Sequence, residues 1–446
     1  VGIPLKEQRR RIRRRSYANY KPPSPNRGPR NDLFRIVVYL VLIAAGVWAY
    51  RNQETVRTWL FEGTSPAEGR PAVSAVADST ERTAAQVADG DTPPSILEEQ
   101  AEAAYQEGNL PEAVDLYRQA AEADPNNVNN HVQVARLLIY EAGLMTSDDS
   151  TAALDEALEA ANDAVLVDPY DPAGYAIMGK VYDWQGRPDQ ASSTILQALD
   201  IDEDYALAHS YLAEAFVDLD RWEQAQQSIE QALSLEPNNV DIRRDYGYVL
   251  ENLGDYAAAA TQYEAALSLH PRLPYLHVAL ARVYRELDDY ESALDHLFEA
   301  QAAAPSNAVI AFEIGRTYET YIGDTDEALS YYERVVDLDD SFGNAWQRMG
   351  SLRYFAGHYA DAIVAFEQAL ALDSLPDELL YQVGLAYAQE GRCDTAQTYL
   401  DEAQAAAGEN ELILEAIQSG YDICSAPTPL PFDLTGTPEV EPTATP

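Results

Sequence analysis

The 446-residue chain has little cysteine and a deficit of positive charge: two Cys, and 30 Lys+Arg against 74 Asp+Glu, for a formal net charge of −44. Two cysteines exclude a disulfide framework and a four-cysteine zinc site. The sequence has no Gly-rich phosphate loop, no nucleophile elbow and no metal-ligand spacing. Asp and Glu are so abundant that they read as solvated faces rather than an acid–base pair. No segment is left over to house a catalytic domain, so neither an enzyme nor a cofactor is expected. The charge is also divided unevenly. Residues 1–57 hold 13 basic and 3 acidic side chains, whereas residues 58–446 hold 17 and 71. The acidic part would repel phosphate backbones, which excludes a nucleic-acid groove there. With 46% hydrophobic residues, the chain as a whole can bury a core.

Residues 1–32 form a basic, Pro-containing tail with almost nothing to bury and are expected to be flexible. Ile36 to Tyr50 carry no charge. With Leu33, Phe34 and Arg35 they make about 27 Å of helix at 1.5 Å per residue, close to the hydrocarbon thickness of about 30 Å. Trp48 and Tyr50 suit an interfacial belt. Residues 33–51 are therefore expected to be one transmembrane helix in the cytoplasmic membrane. The basic tail would be cytoplasmic and everything downstream extracytoplasmic. A cleaved signal peptide and a buried core helix are the competing readings. The basic tail serves as a topology determinant, or alternatively contacts anionic lipid. Residues 52–93 read as a flexible linker. Residues 425–446, with six Pro and five Thr, read as a disordered tail.

Between these segments a small residue recurs. Ala113, Ala157, Ala191, Ala225, Ala259, Ala293, Ala328, Ala362 and Ala396 are 34 residues apart, or close to it, except for a first gap of 44. Seven residues after each stands Ala, or Val335 once. About twelve before each stands a second small residue, such as Gly179, Gly247, Gly315, Gly350 and Gly384. Bulky residues (Tyr117, Ile195, Tyr263, Leu297, Tyr332, Phe366) follow the Ala by one helical turn. Turn signals such as Gly254-Asp255 separate the two small positions, and Pro125, Pro169, Pro237, Pro271 and Pro305 end five of the units. The period predicts stacked antiparallel helix pairs, with small residues where two axes cross closely. No single unit could cover its own apolar faces.

This pattern resembles the tetratricopeptide repeat family. Its large residue, Leu-Gly, Tyr, Ala, aromatic and Ala positions are visible at Tyr175, Met178-Gly179, Tyr182, Ala191 and Ala198, and at Trp346, Met349-Gly350, Ala362, Phe366 and Ala369. The resemblance implies an all-α helical-hairpin solenoid of nine repeats over 94–410, with a capping helix over 411–424. Unit two has about ten extra residues around Met145–Thr151, expected as a longer loop. Unit seven has one extra near Ile322.

The resemblance further implies a concave groove lined by the first helices. Its positions include Arg136, Tyr140, Lys180, Trp184, Arg244, Tyr248, Arg282, Arg285, Phe312, Arg316, Tyr354 and Phe355. Six of the 15 basic side chains between 94 and 424 fall at such positions. Either they bind the carboxylates of an extended peptide, or they pair with neighbouring Asp and Glu. The family's Lys/Asn clamp for C-terminal carboxylates is missing, so a chaperone-tail ligand is not expected. His131, His209 and His277 share one repeat position two units apart, too distant to share a metal, and read as core filler. His270, His296 and His358 show no ligand spacing. Cys393 and Cys424 would meet at adjacent ends of antiparallel helices. They form a disulfide that locks the cap, worth roughly 3–4 kcal/mol, or remain two thiols. The expected role is a membrane-anchored scaffold binding a protein or peptide. The rivals are a passive envelope tether and an accessory subunit of a secretion or glycan-modifying complex.

Overall fold

The computed structural model describes residues 92–372, 378–408 and 410–425. The expected tail 1–32 and span 33–51, nearly all of the linker, and residues 426–446 of the C-terminal tail lie outside the described residues. Among the described residues no helix is long and apolar enough to cross a membrane.

Among the described residues nineteen α-helices follow one another. Unit one is α1 (Pro94–Gln106) and α2 (Leu110–Ala123). Unit two is α3 (Val128–Ala142) and α4 (Ser147–Val167). Unit three is α5 (Pro172–Trp184) and α6 (Pro188–Ile201). Unit four is α7 (Ala206–Asp218) and α8 (Trp222–Leu235). Unit five is α9 (Val240–Leu253) and α10 (Tyr256–Leu269). Unit six is α11 (Pro274–Glu286) and α12 (Tyr290–Ala303). Unit seven is α13 (Ala308–Thr317), a π-helical turn (Tyr318–Ile322) and α14 (Thr325–Leu338). Unit eight is α15 (Gly343–Phe355) and α16 (Tyr359–Ala371). Unit nine is α17 (Glu378–Gln389) and α18 (Cys393–Ala406). A last helix, α19 (Glu411–Ser425), packs on α17 and α18.

The repeated small residues hold each hairpin together. The nine Ala at the primary position are fully buried. The small residue of each first helix faces the bulky residue of its partner. A Cβ added at Gly247 would stand 2.6 Å from the Tyr263 ring, and one at Gly384 would stand 2.7 Å from Leu400. Larger residues there would force the axes apart. Asn127, Asp171, Asn239 and Asn307 cap α3, α5, α9 and α13 with their side-chain oxygens, satisfying amides that a helix start leaves open.

Two insertions are absorbed differently. The extra residues of unit two do not form the expected longer loop. They lengthen α4 to 21 residues, because Ser147 to Ala161 is rich in helix formers with apolar residues at helical spacing. The extra residue of unit seven becomes the π-helical turn, which keeps the buried Ala328 and Tyr332 in frame.

The joints between units carry a second repeated device. His131 donates through Nε2 to the Pro125 carbonyl (3.2 Å), His209 to Glu203 (2.8 Å) and His277 to Pro271 (2.9 Å). Arg243 does the same to Pro237 and Trp346 to Asp340. A first-helix donor thus holds the carbonyl six residues earlier, where the preceding unit ends. The histidines expected as core filler are half-buried or buried clamps. Any side chain with a well-placed N–H serves, which is why His, Arg and Trp share the position.

One apolar core runs unbroken from Ala101 to Ile314. Beyond it, separate clusters centre on units seven and eight and on unit nine with α19.

Candidate partner-binding surface

The first helices α3, α5, α7 and α9 pack directly on one another along the inner side of the array. Contacts then recur four or five units along. Tyr105 of unit one meets Tyr275 of unit six, their hydroxyls 3.1 Å apart. The Tyr140 ring of unit two stacks on Tyr275 at 4.4 Å between centroids. Arg272, at the joint before unit six, pairs with Glu107 of unit one. The Asn307 amide donates to the Leu144 carbonyl (2.9 Å), joining unit seven to unit two. The superhelix therefore closes on itself within its first turn.

Closure seals the inner surface. Lys180 on α5 is 0% exposed. Its Nζ lies 3.1 Å from Asp245 Oδ1 on α9 and 3.1 Å from Glu214 Oε2 on α7, and 4.0 Å from the Tyr211 ring centroid. Ser210 donates to the other Asp245 oxygen (2.7 Å). Arg244 bridges Glu214 and Asp245. Arg136 pairs with Asp241 at 3.2 Å and lies over the Tyr105 ring.

The electrostatics follow from the missing water. Burial disfavours the Arg136 and Arg244 cations, but Asp241 beside the first and Glu214 and Asp245 beside the second outweigh it, so both pKa values stand well above the ordinary arginine value. Asp245 is raised by burial and by Glu214, against the pull of Lys180 and Arg244. Asp183 is pushed up to about 9 by burial and by the Asp218 and Glu214 charges, so it is protonated at neutral pH. Among the described residues, its Oδ1 and the Tyr140 hydroxyl have no hydrogen-bond partner.

The twelve groove positions thus fall into different places. Arg136, Tyr140, Lys180, Trp184, Arg244 and Tyr248 converge on one dry cluster, with the Tyr248 hydroxyl donating to Asp218 (3.1 Å) and Trp184 beside Arg244. Arg285 is buried on Glu313 (2.8 Å), which also takes Arg316 (2.6 Å). Burial works against the Glu313 carboxylate, but the two arginines outweigh it and hold its pKa below the ordinary value. Arg282 is half-exposed and held by both oxygens of Glu251. The expected open groove over units two to six is therefore corrected. Its basic residues neutralise carboxylates of the same array, because tyrosines and ion pairs fill the turn.

Units seven to nine differ. Phe312 stacks on Phe342 and is half-buried. Tyr354 is half-buried, and Phe355 beside it is 84% exposed. Arg348, two helical turns back from Phe355 on α15, is half-exposed and pairs with Glu319. At the far end Cys393 and Cys424 are joined in a disulfide, Cα atoms 5.5 Å apart, tying the start of α18 to the end of α19.

The acids Glu214, Asp241 and Asp245 went unread in the sequence. Two of them carried a signal: Asp245 follows Arg244, and Glu214 stands one 34-residue period after Lys180. The closing contacts have no periodic signal.

Family models of the tetratricopeptide repeat match residues 77–128, 212–275 and 348–411, with further repeat models at 274–297 and 311–344. The TPR repeat-containing protein PA0015 of Pseudomonas aeruginosa is 32% identical over 78 residues, covering 18% of this chain and 73% of that protein. The small glutamine-rich tetratricopeptide repeat-containing protein 2 of Mycosarcoma maydis is 24% identical over 102 residues, 23% of this chain; the chain spans only 28% of its length. Among solved structures, the human IFIT1 dimer with m7Gppp-AAAA aligns at a TM-score of 0.47 and 17% identity, covering 74% of this chain and 76% of that one. With its 34-residue period, its stacked hairpins, the repeat models and the 32% identity to a relative covered over 73% of its length, the chain belongs to the tetratricopeptide repeat family.

Proposed function

We propose that this chain is a membrane-anchored, extracytoplasmic and non-catalytic scaffold that engages a protein partner through the first-helix surface of units seven to nine. The observation that carries the site is Phe355, a large aromatic left 84% exposed at a groove position. Half-buried Tyr354 lies beside it, and Arg348 is two helical turns away along the same helix. Exposed aromatics flanked by arginine are the residues that anchor protein interfaces. In the first turn the corresponding positions are occupied by the chain itself. Anchoring is supported by the uncharged run Ile36–Tyr50 behind its basic flank. A Cys393–Cys424 disulfide suits an oxidising compartment. The strongly negative charge favours partners that are not themselves acidic.

A photo-crosslinking residue in place of Phe355, in the full chain on intact membranes, should capture one protein. The same residue in place of Val364, exposed on the second helix of unit eight, should not. Equal capture from both positions, or none from either, overturns the site and favours a passive tether. Protease added to intact cells should remove the repeats; their protection would overturn the placement.

A further inference from the structure

The first turn is shut by few contacts and has an interior unlike a core. Its edges meet through side chains more than 160 residues apart in sequence, at Tyr105–Tyr275, Glu107–Arg272 and Leu144–Asn307. Separating them breaks no helix and no hairpin. What they enclose is charged. Arg136, Lys180 and Arg244 stand against Asp183, Glu214, Asp218, Asp241 and Asp245. Holding such charges away from water costs heavily, and their mutual attraction only partly offsets that cost. A hydrocarbon interior would have no such reason to open.

We propose that the interior of the first turn is a concealed binding surface, opened by parting units one and two from units five to seven, for an extended segment of another protein carrying Arg or Lys. Asp183 is protonated while buried and ionises once opening admits water, so the opened surface carries five carboxylates against three cations and an incoming guanidinium or ammonium finds acids in excess. Tyr140, Tyr211 and Trp184 supply aromatic faces for it. This surface is independent of the one proposed around Phe355.

Two features make opening measurable. Lys180 is the single lysine between residues 22 and 446, so amine labelling at Lys180, read by peptide mass spectrometry, reports the interior. Gly108 supplies a matched control. A Cβ there would overlap the Arg272 carbonyl oxygen, whereas at Gly254, with nearly the same positive φ (81° against 83°), it would meet nothing. Gly108→Asn therefore strains the closing contact and Gly254→Asn only the local turn. In the full-length protein, Gly108→Asn should speed Lys180 labelling roughly tenfold, the size expected of overpacking by one side chain, while Gly254→Asn leaves it unchanged. Equal rates in both variants overturn the proposal. Wild-type labelling should also be nearly independent of low urea, as for sub-global opening. A urea dependence equal to that of global unfolding overturns it, whether or not Gly108→Asn folds. Crosslinking Glu107→Cys to Arg272→Cys with a short bis-maleimide should suppress labelling. An (Arg-Tyr)4 peptide should bind Gly108→Asn about tenfold more tightly than this locked chain, because only the open fraction is competent. Equal affinity would overturn the assigned partner chemistry.

Discussion

Units one to six and units seven to nine are built from the same repeat and end differently. The first group is joined by one apolar core that starts at Ala101 and ends at Ile314 on the first helix of unit seven, and its inner face is sealed around Lys180. In the second the core is divided, and Phe355 stands in solvent. The first group is held by contacts between its own edges; the second is held at its end by α19 and a disulfide. Small and bulky residues at fixed spacing make the hairpins identical. The rise of the superhelix, and with it what the inner face can touch, depends on residues that do not repeat.

The largest difference should come from the buried charges. Lys180→Met leaves the buried Glu214 and Asp245 to share Arg244 as their one cation and should cost about 3–5 kcal/mol in urea unfolding. A loss below 1 kcal/mol would mean that water reaches the cluster. Next, reducing the Cys393–Cys424 bond should cost roughly 3 kcal/mol and speed amide exchange in α18 and α19 alone. Equal acceleration in α3 and α5 would show that the two regions unfold as one.

Asp183 gives a smaller, pH-dependent effect. Its folded pKa of about 9 lies above its unfolded value, so its contribution is fully present below the unfolded value and is lost as pH rises through 9. Wild type should therefore lose stability between pH 5 and 8.5. Asp183→Asn should flatten that slope, by on the order of 1–2 kcal/mol; an unchanged slope of the urea midpoint would place the charge elsewhere. Smallest is Arg348→Ala in the open region. Its pair with Glu319 is half-exposed and 3.3 Å long, and its loss should change stability by less than about 1 kcal/mol. A larger loss would mean that this face is more buried than the first turn's contrast with it requires.

The hairpins were legible because packing two helices at close range demands small residues at one phase, and nine alanines kept it. The sealed turn was not. Gly108 looks like every other turn glycine, although its neighbour across the turn is Arg272. Tyr140 reads as a groove aromatic, and only the pitch of the superhelix decides that it stacks on Tyr275. The six inward basic residues were noticed, but pairing with Asp241, Asp245 or Glu214 depends on which helices become neighbours. The length of α4 was misjudged because extra residues were assigned to a turn, when Thr146 and Asp149 open a helix there.

The π-helical turn at Tyr318–Ile322 is where the repeat lengthens by one residue. A widened coil takes up the surplus residue on the spot, so the following block keeps its packing frame while its direction is free to differ from that of the block before. Removing one of those five residues would restore an ordinary coil and leave Ala328 and Tyr332 seated. With one codon fewer, unit seven would have the 34-residue spacing of its neighbours.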